Sequence, residues 1–156
     1  EEITRVTRED FLRINECKSI WGELRYETAL IRAPRSTAWG IAQALRTEWA
    51  DVCHLAVAAD AEGVPTAAPI ADEILGETDA VRIRELLNGL DGGLLIGSSN
   101  ESAHINPRTA AYFPAAYPVQ DALHLSDAPF MGLRGARHIE ETLWNDCILR
   151  RKILLP

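Results

Sequence analysis

The segment from Val52 to Ala59 is apolar except for His54, and Leu94-Leu95-Ile96 repeats that character over a shorter length. A strand with one wet face alternates apolar and polar residues, whereas a nearly unbroken apolar strand is covered on both faces. The cover is written into the neighbouring segments. Ala38, Ile41, Ala42, Leu45 and Trp49 recur at helical spacing, as do Ala80, Ile83, Leu86, Leu87 and Leu90, and again Ile139, Leu143, Trp144, Cys147 and Ile148. Strands alternating with helices through short connections define an α/β protein: a three-layer, Rossmann-like domain with a mainly parallel sheet flanked by helices and joined by right-handed crossovers.

With 156 residues the chain accommodates one such domain over 1–156, with 1–27 as an N-terminal helical extension. Thr7 and Asp10 have the spacing of a capping box, so the first helix is expected from about Arg8 to Arg25. Thr28–Arg32 reads as a strand closed by Ala33-Pro34-Arg35-Ser36, followed by a helix over Thr37–Trp49 and a strand over Val52–Ala59. A short edge strand around Ile74, a helix over Asp79–Leu90 and a strand over Gly93–Gly97 come next. Asn106-Pro107 and Phe113-Pro114 break the chain before a last amphipathic helix spanning Ala136–Leu149.

A net charge of −7 and scattered basic residues disfavour a nucleic-acid surface, which needs clustered Lys and Arg. The cluster Arg150-Arg151-Lys152 suits the negative end of the last helix. No apolar run reaches the length of a membrane span, and Glu1-Glu2-Ile3-Thr4-Arg5 lacks the features of a signal peptide, so the expected location is cytoplasmic and no membrane partner is expected. Cys17, Cys53 and Cys147 show no metal-binding or redox spacing, and Cys53 and Cys147 read as small core residues. His54 reads as a satisfied core group, and the four Trp residues as packing groups.

Open parallel sheets hold ligands beyond the carboxyl ends of their strands. Here those ends lead into Ala33-Pro34-Arg35, Asp60-Ala61, Ser98-Ser99-Asn100 and the stretch from Tyr117 to Gly135. The candidate ligand-binding residues are therefore Ser98, Ser99, Asn100, Tyr117, Asp121, His124, Gly132, Arg134 and Gly135. Gly132 and Gly135 flank a helix entrance, where the backbone can approach a ligand and free N–H groups point toward it. Arg134 can pair with an anion or form a salt bridge to Glu140 or Asp127; Arg35 joins it at the rim, and His104 lies in a site-facing loop. G-x-G-x-x-G, the P-loop motif and G-x-S-x-G are absent. Ser98 and Ser99 have no base fixed beside them, so no catalytic residue is assigned.

The order Leu94-Leu95-Ile96-Gly97-Ser98-Ser99, Tyr117-Pro118-x-x-Asp121 and Pro129-x-x-Gly132-x-x-Gly135, followed by a helix ending near Trp144-Asn145, resembles the C-terminal Rossmann-like domain of nitrogenase component 1-type proteins. That family includes nitrogenase subunits, cofactor-assembly scaffolds and the dark protochlorophyllide and chlorophyllide reductases; Pro129-Phe130-Met131-Gly132 is most similar to the reductases. The resemblance implies one domain of a multisubunit oxidoreductase, inactive alone, that shapes a cofactor or substrate cavity and a subunit interface. It implies partner subunits of the same family or a homo-oligomer, and an ATP-dependent iron–sulfur reductase as electron donor. It also implies an iron–sulfur or related cluster in the full assembly, which this chain does not hold alone because the family's cysteine-bearing glycine loops are missing. The family's cofactor-ligating histidine would fall near Ala122, not at His124, so no metal ligand is assigned. The alternative reading is a non-enzymatic α/β ligand-binding or metallocluster scaffold module.

Overall fold

The computed structural model describes residues 12–13, 15–16, 18–20, 22–59, 70–76, 78–120 and 132–154. Its centre is a five-stranded sheet in the order β3-β2-β1-β4-β5, with every pairing parallel. The strands are β1 (Leu24–Arg32), β2 (Ala50–Ala58), β3 (Glu73–Leu75), β4 (Leu94–Gly97) and β5 (Ala111–Pro114). The helices are α1 (Arg35–Ala44), α2 (Ala80–Asn88), the single turn α3 (Ser99–Ser102) and α4 (Gly132–Leu154). Among the described residues no helix is long and apolar enough to cross a membrane.

Period-two alternation divides the sheet's side chains between two cores. Ala29, Ile31, Leu55, Val57, Leu94, Ile96 and Phe113 meet Ile41, Leu45 and Trp49 together with Ile139, Leu143 and Trp144 of α4. On the opposite face Leu30, Ala56, Ala58 and Leu95 meet Ile83, Leu86 and Leu87 of α2. The protein is thus a three-layer α/β domain of Rossmann-like form. The registers Ala29↔Leu55, Ala29↔Leu94 and Leu94↔Ala111 keep same-facing residues abreast across four strands.

Several boundaries differ from the sequence expectations. Leu24 and Arg25 belong to β1, not to the end of a first helix; residues 12–13, 15–16 and 18–20 are helical, and the other positions of that expected helix from Arg8 to Trp21 lie outside the described residues. Parallel pairing of Leu24 with Ala50 and Arg25 with Asp51 draws this polar start into the sheet. The helix expected to reach Trp49 changes to a π-helical turn over Leu45–Trp49, whose wider winding sets both Leu45 and Trp49 in the core. Arg46 in this turn pairs with Asp72, whose Oδ2 also accepts the Leu55 N–H at 2.7 Å. β5 was hidden by its four-residue length and closing proline; as an edge strand it tolerates Pro114. α4 starts at Gly132 rather than Ala136, and its Arg150 pairs with Asp146 one turn back.

Cys53 is exposed on β2, contrary to the core position expected from its apolar surroundings, whereas Cys147 packs half-buried against the larger core. His54 is also half-exposed. Its Nε2 lies 3.2 Å from Glu73 Oε2, and Glu73 takes Arg82 through Nε at 2.8 Å and Nη2 at 3.0 Å. Both residues precede the stretch where β3 pairs with β2, which begins at Ala56↔Glu73, and neither belongs to the two cores that Leu55, Ala56, Val57 and Ala58 enter. Trp49 and Trp144 are buried, and Trp39 packs partly buried against the same core.

Candidate functional site

Strand order places the topological switch between β1 and β4: the chain moves outward through β2 and β3, then returns to the other side of β1 to form β4 and β5. A crevice opens at this point beyond the carboxyl ends. Its volume is about 290 Å³, and the segments following all five strands contribute to its wall. Ala33 and Pro34 come from the end of β1, Ala59 and Gly76 from β2 and β3, Asn100 from the β4 side, and Ala116 and Tyr117 from β5.

The β4 end is built by a capping box. Ser98 caps α3, its Oγ accepting the Asn100 N–H at 3.2 Å, while Glu101 reaches back to accept the Ser98 N–H at 2.9 Å and the Ser98 hydroxyl proton. The other carboxylate oxygen, Glu101 Oε1, lies 2.9 Å from Arg32 Nη1 at the end of β1. Glu101 thereby ties the two strands that flank the switch point. Ser98 is buried with its hydroxyl directed to this carboxylate, an arrangement that holds the crevice wall.

The β5 end is tied down by Ser99. Its N–H donates to Pro118 O at 2.8 Å, and its Oγ accepts the Gln120 N–H at 2.6 Å. Ala115 and Ala116 both donate to Gly97 O, at 2.8 and 3.1 Å. The Tyr117–Pro118 peptide is cis. Tyr117 stands on this fastened segment at 95% exposure while lining the crevice.

Of the residues expected at the site, Ser98, Asn100 and Tyr117 meet in the crevice, and Ser99 secures the segment that carries Tyr117. Gly132 instead lines a second, largely apolar cavity of about 330 Å³ between α1 and α4, beside Gly40, Ile41, Trp49 and Ala136. It adopts a φ of +69° at the start of α4; Arg134 is exposed and Gly135 is buried in the first turn. Glu140 faces Lys18 Nζ at 4.0 Å. Asp121 and His124 lie outside the described residues, as do Asp60, Ala61 and Asp127. His104 is exposed after α3, and the crevice wall does not include it.

Arg32 and Glu101 were not among the sequence candidates. The spacing Ser98-x-x-Glu101 immediately after an apolar strand carried the signal for Glu101; nothing local connects Arg32 to it. Among the described residues no group of three or more His, Cys, Asp or Glu could hold a metal ion. The described cysteines sit on β2 and α4, so these residues do not fit an iron–sulfur cluster. No family model matches the chain, and no curated protein matches it.

Proposed function

We propose that this chain is a Rossmann-like domain of a nitrogenase component 1-type oxidoreductase, contributing a cavity wall and a subunit surface. The reading rests on the ordered motifs around Gly97-Ser98-Ser99, Tyr117-Pro118 and Gly132-x-x-Gly135. The observation that carries it is the fastening of the first two: Ser99 bonds Pro118 and Gln120, so the two motifs form one wall at the switch point. In this reading a metal cluster belongs to the complete assembly, and electrons arrive from an ATP-dependent iron–sulfur reductase. Anaerobic co-expression with subunits of that family tests it. A coloured, iron-containing complex that includes this chain is expected; failure to form any such complex would overturn the assignment.

A second reading, a non-enzymatic ligand-binding module, is favoured by one specific feature. All five strand ends of this single chain contribute to the crevice, so its wall does not require another subunit. Ligand binding by the chain alone distinguishes the two readings when combined with the assembly experiment.

A further inference from the structure

Resting on the reading that the switch-point crevice holds a ligand, we propose that its ligand is a small organic anion, a carboxylate or phosphate monoester with a planar body. Arg32 receives the head group and Tyr117 stacks against the body.

The two charges in the crevice are unequally presented. The Glu101 side chain is 9% exposed, and its oxygens are engaged by Arg32, the Ser98 N–H and the Ser98 hydroxyl. The Arg32 side chain is 46% exposed, with Nη1 directed to Glu101. A guanidinium has five N–H donors, so one anchored edge leaves a planar donor set for a second anion. The crevice therefore shows a solute its cation far more than its anion. Asp79, at the nearby start of α2, turns Oδ2 onto the Gly76 N–H at 2.8 Å.

Further features favour the same class. α1 begins after the crevice residue Pro34 with no side-chain cap and no acidic residue in its first turn, so its dipole adds to the positive field. Asn100 contributes a polar side chain to the crevice lining, and Ala58, Ala59 and Ile83 contribute apolar ones. The exposed Tyr117 ring is presented on a segment fixed by Ser99, which lowers the ordering cost of stacking. At about 290 Å³ the crevice matches the lower end of small-molecule sites. It suits a mononucleotide-sized or smaller ligand.

The test is an amide chemical-shift titration of the ¹⁵N-labelled chain with AMP, adenosine, benzoate and inorganic phosphate. AMP or benzoate should move the Ala33, Asn100 and Tyr117 amides, with adenosine binding at least tenfold more weakly than AMP. Arg32→Met should weaken the anionic probes at least tenfold, Arg32→Lys should weaken them less, and the spectra themselves report whether each variant is folded. Tyr117→Ala should weaken AMP or benzoate several-fold while leaving inorganic phosphate unchanged. AMP against benzoate separates a phosphate from a carboxylate head group. Equal binding of AMP and adenosine at these amides would overturn anion recognition while preserving the crevice as a ligand site. Loss of all shifts, or shifts confined to other surfaces, would overturn both.

Discussion

The Arg32 guanidinium lies 2.9 Å from the buried carboxylate of Glu101, joining the ends of β1 and β4 across the point where the sheet's winding reverses. Glu101 has further partners in Ser98, whereas Arg32 is half in solvent. Glu101→Ala should therefore cost about 2 kcal/mol, because it strips buried donors of a charged acceptor. Arg32→Met should cost about 1 kcal/mol or less, since its partner keeps the Ser98 bonds and solvent screens the pair. Urea denaturation of both variants checks the order.

Ser99 acts on the neighbouring segment through both its N–H and its hydroxyl. Ser99→Ala retains the backbone bond to Pro118 and removes the acceptor for Gln120. About 1 kcal/mol or less of stability should be lost, with a local increase in amide exchange at Gln120. Unchanged exchange there would show that the side chain does not restrain the segment.

Buried Glu140 should make stability fall as pH rises. Burial lifts its carboxyl above the ordinary range and Glu48 adds to this, with Lys18 opposing. The folded protein therefore holds this proton more tightly than the unfolded chain. Its stabilising contribution is complete below the unfolded pKa and disappears as pH rises through the folded pKa. Glu140→Gln should remove this decline and leave the protein more stable than the parent at neutral pH. Denaturant midpoints measured from pH 4 to 8 report the difference.

Asp72 has the opposite sign. The Leu55 N–H holds its carboxyl below the ordinary range, assisted by Arg46 and opposed by desolvation. Its contribution is present above the unfolded pKa and is lost as pH falls through the folded one. Asp72→Asn should lower stability at neutral pH and flatten the acid limb of the same profile.

Two glycines should respond in opposite directions to alanine. A methyl at Gly93 would sit 2.6 Å from Thr28 O and 2.9 Å from Leu90 Cγ, so Gly93→Ala should cost about 1–3 kcal/mol. At Gly40, within α1, an added methyl meets nothing within 4 Å, and Gly40→Ala should stabilise by up to about 1 kcal/mol. Thermal unfolding of the two variants measures both effects.

The nearly unbroken apolar character of Val52–Ala59 and the apolar run Leu94–Ile96 were enough to reveal a sheet covered on both faces, and helical spacing identified its covering layers. Both signals are local and repeat over many residues, so sequence carried the α/β class and most element positions. It did not reveal β5, whose Ala111–Pro114 run is too short for a clear period and becomes a strand through pairing with β4. Cys53 and His54 look internal because their neighbours are apolar, but burial on β2 depends on which residues meet the helical layers, and those include Leu55, Ala56, Val57 and Ala58 but not these two.

For the site, sequence pointed to the carboxyl-end loops, and Ser98, Asn100 and Tyr117 from those segments line one crevice. Tertiary structure decided which residues meet. Arg32 and Glu101 are distant in sequence, yet parallel pairing of β1 and β4 brings their chain ends together; Gly132 is assigned to another cavity by the packing of α4 against α1. The capping box could be read locally because its partners are three residues apart. The Arg32–Glu101 bond could not, because only the sheet order makes those two strand ends neighbours.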